Sequence, residues 1–165
     1  MTFQRRTLLA MALSTGLCAP GMVLADDGTI KIGVLATFEG LFTVLGEDGL
    51  RGAMVAVDEV GGMVAGKKIE IVRGSSDASP DSAVRAVRKP VEQDGVTVVV
   101  GPLSGDEGLA VKGYAKTQPN VTFINGTSAA QDTTLRDPAP NFLRFSTDGA
   151  QWMAGLGTYA FTEKH

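Results

Sequence analysis

The feature that most constrains this chain is a regular exchange of two periodicities. Short β-branched runs alternate with longer stretches whose apolar residues recur every three to four positions. Thr29-Ile30-Lys31-Ile32-Gly33-Val34-Leu35 reads as a first strand. From Glu47 to Glu59, Leu50, Ala53, Met54 and Val57 fall on one helical face, and Gly61-Gly62 stops it. Lys68 to Val72 is a second strand. Ser79-Pro80-Asp81 then opens a helix that turns Val84, Val87 and Val91 inward and runs to Gly95, with a kink or early end expected at Pro90. Val96-Thr97-Val98-Val99-Val100 is nearly all apolar, the pattern of a strand buried on both faces of a parallel sheet. A helix over Gly105–Lys116, a strand over Val121–Ile124, a loop over Gln131–Pro140, a strand over Phe142–Phe145 and a helix from Asp148 to His165 complete the series. Ser146 or Thr147 would cap that last helix. Repeated βα units on short loops predict an α/β fold with a doubly wound, mainly parallel sheet.

Composition supports one folded domain and removes several partners. With 165 residues, 44% hydrophobic and 20% charged, the chain can bury a core and is not of disordered composition. A net charge of −3 offers no basic surface for nucleic acid. No apolar run reaches the roughly 18 residues that span a bilayer.

The first 25 residues read as a cleavable export signal. Arg5 and Arg6 precede an apolar stretch from Thr7 to Leu17, and Val23-Leu24-Ala25 places small residues before a cut at Asp26. The general secretory route is the default, and Arg5-Arg6 leaves a twin-arginine route open. Cys18 offers a lipidation site, although Leu17 stands where that processing prefers a small residue. Cutting after Ala25 removes two positive charges and no acid, so the net charge goes from −3 to −5. It also removes the one cysteine, leaving no thiol or disulfide chemistry.

In a doubly wound sheet, ligands sit beyond the carboxyl ends of the strands, where the winding reverses. The segments expected there are 37–46, 75–77, 101–105 and 125–128, rich in Thr, Ser, Asn and Gly. Ser104-Gly105 and Thr127-Ser128 each set a hydroxyl beside backbone N–H groups. Ser104-Gly105 also opens a helix, whose free amides favour an anion such as a carboxylate. Each segment reads equally as an ordinary cap or turn. The sole histidine, His165, is the last residue, so no Ser-His-Asp or Cys-His arrangement has a base within the fold. Gly101-Pro102-Leu103-Ser104-Gly105 sets its serine one place late for a nucleophile elbow. There is no glycine-rich dinucleotide turn after the first strand and no P-loop, so no cofactor is expected. The pairs Asp26-Asp27, Glu47-Asp48 and Asp106-Glu107 lack metal-site spacing and read as solvated or as support for helix N-termini. Asn120-Val121-Thr122 and Asn125-Gly126-Thr127 match the glycosylation sequon by chance.

The order of motifs carries a resemblance. The export signal is followed by Ile30-Lys31-Ile32-Gly33-Val34-Leu35, then Gly46-Glu47-Asp48-Gly49-Leu50-Arg51-Gly52-Ala53, then Val91-Glu92-Gln93-Asp94-Gly95-Val96, then Val98-Val99-Val100-Gly101-Pro102-Leu103-Ser104. From Thr29 to Gln151 this resembles the periplasmic substrate-binding proteins of ABC transporters for branched-chain and other hydrophobic amino acids. The resemblance implies the type I periplasmic-binding-protein fold, a Rossmann-like lobe, with two lobes closing on an amino acid. It also implies permease and ATPase partners, no catalytic activity, a periplasmic location, and a monomer when complete. By motif, Ser104 and Gly105 form the turn after the third strand, where many relatives carry a second serine in place of Gly105. Asn125-Gly126-Thr127-Ser128 forms the next turn, where relatives often read Pro-Gly-Ala-Thr; this leaves open whether Thr127 or Ser128 meets the ligand. Asp148 matches the acid at the passage to the second lobe, near a ligand ammonium or the hinge, and Phe42 falls in the loop lining the cleft. Family members continue into a second lobe after the helix that ends here at His165. The expectation is therefore a signal at 1–25, an incomplete first lobe at 26–147, and the start of a second at 148–165, as in a truncated gene or a fragment. A signalling receptor domain on the same lobe, and an enzyme on a flavodoxin-like sheet, remain the alternatives. Residues 26–165 alone are expected to be poorly soluble or only partly folded, with an exposed sheet edge and apolar helix faces. They should bind leucine, isoleucine, valine or phenylalanine only in the millimolar range, roughly −4 kcal/mol, as calorimetry would register.

Overall fold

A computed structural model describes residues 28–163. The expected signal, its cut after Ala25, Cys18 and His165 lie outside the described residues. β1 (Thr29–Thr37) runs through the middle of a six-stranded sheet. It pairs in parallel with β3 (Lys67–Ser76) along nine residues and with β4 (Val98–Val100) along three. β5 (Thr122–Asn125) and β6 (Phe142–Arg144) extend the β4 side, and β2 (Met63–Val64) closes the other edge, giving the order β2-β3-β1-β4-β5-β6. All pairings except β2 with β3 are parallel, so the expected doubly wound α/β sheet is what forms. The winding reverses between β1 and β4.

The two faces of the sheet are covered unequally. Alternation along the strands sends Leu35, Val99, Phe123 and Phe142 to one side. There they pack with Ala83 and Val87 of α2 (Pro80–Glu92) and with Val111, Tyr114 and Ala115 of α3 (Gly105–Ala115) in one dry core. Tyr114 meets Phe123 edge to face, with ring centroids 6.1 Å apart. The opposite side carries Ile32, Val34, Val98, Val100, Ile124 and Leu143. α1 (Thr43–Glu59) lies on this side, and Val98, Val100 and Ile124 stay half-buried while Leu143 is exposed. The strand expected to be buried on both faces is therefore dry on one face only. The face of α1 read from spacing also holds in part: Leu50, Ala53 and Val57 are half-buried, but Met54 is exposed.

Several local expectations change. Val96 is buried ahead of β4 rather than within it, its N–H donating to Pro90 O at 3.0 Å. Pro90 does not end α2, which runs on to Glu92. The carbonyl that proline deprives of a donor, that of Ala86, lies against Gly74, where an added Cβ would come within 2.9 Å of it. Lys67–Ser76 is longer than the strand read at 68–72: its far end pairs with β1 through Ser76, and at its start β2 folds back on Lys67 and Lys68 through Ala65-Gly66, both at positive φ. Alanine is not a usual residue for that turn, so the hairpin carried no sequence signal. The final helix is two pieces, α4 (Gly149–Trp152) and α5 (Leu156–Glu163), separated at Gly155 with φ +85°. Its cap is Asp148, not Ser146 or Thr147. The indole N–H of Trp152, half-exposed on α4, donates to Thr147 Oγ1. Among the described residues, no helix is long and apolar enough to cross a membrane.

α1 reaches the sheet through Gly46, its one buried residue, where a Cβ would fall 1.8 Å from Thr37 O. Gly46→Ala must push α1 off β1 and should destabilise the fold by about 1–3 kcal/mol. Gly52→Ala, on the same helix with nothing within 4 Å, should instead stabilise it by up to about 1 kcal/mol. Urea unfolding followed by far-ultraviolet circular dichroism measures both; equal effects would mean that the Gly46 contact does not limit the approach of α1.

Candidate ligand cleft

The carboxyl ends of β1, β4 and β5 open onto a cleft of about 430 Å³, closed on one side by the start of α1. Val34 and Ala36 of β1, Leu45 and Gly46 of α1, Val100 to Leu103, and Gly126-Thr127 line it. The walls are largely apolar, and they stand at the point where the winding reverses, as expected for a ligand crevice. Gly101 makes the turn out of β4 possible: at φ +130° a Cβ there would sit 2.0 Å from Leu35 O.

Ser104 and Gly105 follow the lining turn directly. Ser104 is the N-cap of α3, its hydroxyl accepting from Glu107 N at 3.3 Å and donating to Ala78 O at 3.2 Å. Gly105 begins the helix, so its amide and that of Asp106 have no carbonyl one turn back to bond within the helix. Thr127 is exposed at the cleft, with its hydroxyl donating to Leu103 O at 3.4 Å. Ser128 is fully buried, and its Oγ has no hydrogen-bond partner among the described residues; neither has Oδ1 of Asn125, whose Nδ2 donates to Ser128 O at 2.9 Å. Of the two hydroxyls left open by sequence, only that of Thr127 faces the cleft. Gly126 lines it, and Gly126 O accepts from Ser146 Oγ at 3.3 Å. Phe42, half-exposed in the 3₁₀ turn Gly40–Phe42, is not among the lining residues. Asp148 is buried in a capping box, accepting from Gln151 N at 2.9 Å. The structure thus gathers Gly126 and Thr127 at the cleft with Ser104 and Gly105 next to it, and leaves Phe42, Asn125, Ser128 and Asp148 out of the lining.

Sequence reading missed the polar bracing beneath this edge. Glu107, read as solvated or as support for a helix start, is fully buried and bonds Ser76 as well as Ser104. The Ser104-x-x-Glu107 spacing of a capping box could have signalled the second bond. The guanidinium of Arg144 holds the 128–133 loop, donating to Ser128 O at 2.8 Å and Ala130 O at 2.6 Å. Asn141 Nδ2 donates to the carbonyls of Ala115, Gln118 and Val121, closing the exit from α3.

The family profile for periplasmic binding proteins matches residues 29–165, and the chain belongs to that family. The Leu/Ile/Val-binding protein BraC3 of Rhizobium johnstonii is 30% identical over 133 residues, covering 79% of this chain and 35% of that protein. Among solved structures, an ABC transporter substrate-binding protein from Sphaerobacter thermophilus superposes with a TM-score of 0.72 at 32% identity, over 82% of this chain and 37% of that one. The solute binding protein of an ABC transporter from Rhodopseudomonas palustris BisB5, in complex with 3,4-dihydroxybenzoic acid, gives a TM-score of 0.69 at 28% identity, over 79% and 37%. These relatives are binding proteins rather than enzymes, and the chain spans little more than a third of their length.

Asp77, which follows Ser76 at the end of β3, supplies a pH test of the local geometry. Hydrogen bonds from the hydroxyl of Ser79, and then from its amide, hold the Asp77 carboxyl below the usual carboxylate range. A depressed folded value means that its contribution to stability is complete above the unfolded value of about 3.9 and is lost as pH falls through the lower folded value. Ser79→Ala should bring the Asp77 titration, followed by carbon-13 NMR, back up toward the ordinary value. No movement would mean that the Ser79 hydroxyl does not bond Asp77 in solution.

Proposed function

We propose that the chain forms the ligand-binding lobe of an exported solute receptor that serves an ABC importer. Its ligands would be branched-chain or other hydrophobic amino acids or related small carboxylates. The observation that carries this reading is the apolar cleft at the winding reversal, with the Ser104-Gly105 helix start and the Thr127 hydroxyl at its edge. An apolar side chain or ring fits the walls, and a carboxylate suits free amides at a helix start. Asp148 would act at the passage to a second lobe rather than in the cleft wall. In this reading the protein is exported by the signal at 1–25, works in the periplasm, and delivers its ligand to permease and ATPase subunits without chemical change. The name of the Rhizobium relative favours leucine, isoleucine or valine, whereas the complex of the Rhodopseudomonas relative favours aromatic acids.

Nitrogen-15 NMR of the whole chain, titrated to millimolar concentration with L-leucine, L-isoleucine, L-valine and 3,4-dihydroxybenzoate, discriminates the two classes. The expected result is a shift at Gly101–Gly105 and Gly126–Thr127 with one class; shifts elsewhere, or with none of the four, would sink the reading. In a full-length, two-lobed parent, Ser104→Ala should weaken the better probe by about 1–3 kcal/mol in calorimetry, the scale of a lost hydrogen bond to a charged group. Unchanged affinity would reduce Ser104 to a helix cap.

A further inference from the structure

Glu107 does more than a helix cap requires. A capping box asks the third helical residue to reach back to the N-cap amide, and Glu107 Oε2 accepts from Ser104 N at 2.8 Å. The side chain is nevertheless fully buried, and Oε1 accepts from Ser76 Oγ at 2.5 Å. Ser76 is the last residue of β3, also fully buried, with its Oγ 3.4 Å from Thr37 Oγ1 at the end of β1. Ser104 Oγ reaches across to Ala78 O, in the turn that leaves β3. One carboxyl group therefore ties the end of β3 to the first turn of α3. A buried polar network of this kind rigidifies only when every member is paired, and here both carboxyl oxygens are.

We propose that Glu107 is a positioning residue of the ligand cleft. It locks the Ser104-Gly105 turn to the sheet, so that the turn's amides keep their place with or without a ligand. This rests on the cleft being the ligand site proposed above. The bond to Ser76 separates the role from capping, because a cap needs only Ser104. Glutamine at 107 can keep both links: its carbonyl accepts from Ser104 N, and its amide donates to Ser76 Oγ, whose own proton turns to Ala36 O, 3.4 Å away.

Amide hydrogen exchange on the whole labelled chain tests the coupling. Ser76→Ala leaves the Ser104–Glu107 pair intact, yet it should speed exchange of the Ser104 amide about tenfold. Amides of β1 and β4 should keep their rates, and Glu107→Gln should stay within about twofold of the unsubstituted chain. Ser76→Ala should also weaken L-isoleucine or 3,4-dihydroxybenzoate, whichever binds, by about tenfold. The proposal is overturned by an unchanged Ser104 rate in Ser76→Ala, by faster exchange in β1 and β4 in step with Ser104, or by Glu107→Gln behaving like Glu107→Ala. An unsubstituted chain that binds neither probe counts against the cleft as the ligand site, and the exchange rates still decide whether Glu107 couples the sheet to the turn.

Discussion

Two glycine backbones press against the last carbonyls of β1, and the arrangement of the binding edge depends on that contact. Gly46 brings α1 down onto Thr37, and Gly101 carries the chain away from β4 past Leu35. Because β1 stays paired with β3 through Thr37, the carbonyl end of β1 cannot give way without disturbing that ladder. The cleft is the space left between these approaches, framed by backbone and by mainly apolar side chains, with Asp48 and Thr127 as the polar ones.

The sheet and its order of elements were legible because each segment is either β-branched or periodic, and both patterns answer to local geometry. The beginning of α3 was legible for the same reason: a serine cap followed by glycine allows few other readings. The Ala65-Gly66 hairpin was not, since its turn is imposed by pairing with β3 rather than by residue preference. Pro90 stays inside α2, which runs two residues beyond it, so the early end expected there does not occur. The candidate site was half legible. Spacing put Thr127 and Ser128 on equal terms; burial tells them apart, with Thr127 exposed at the cleft and Ser128 packed beside Gly108, where a Cβ would come within 2.1 Å of its Oγ. Glu107 looked like a solvated acid because sequence cannot show that Ser76 and Thr37 end their strands side by side.

The two faces of the sheet divide the labour. On the α2–α3 side, aromatic and aliphatic groups exclude water and carry the stability of the fold. On the α1 side, half-buried valines and isoleucines leave a softer surface, and the cleft belongs to this side. Polar side chains brace the rim between them: Glu107 and Ser76 under the α3 start, Arg144 behind the loop after β5.

The placement of Trp152 has an optical consequence. It is the chain's one tryptophan, and it stands half in water on a four-residue helix outside the core. Indole emission therefore reports the solvent around α4 and is nearly blind to the packing of the sheet. The core has its own chromophore in Tyr114, which lies edge-on to Phe123 and donates its hydroxyl proton to Glu92. Near-ultraviolet dichroism in the tyrosine band follows the melting of the interior, while tryptophan fluorescence follows the tail, so the two signals can change at different temperatures in a chain whose core unfolds in a single step.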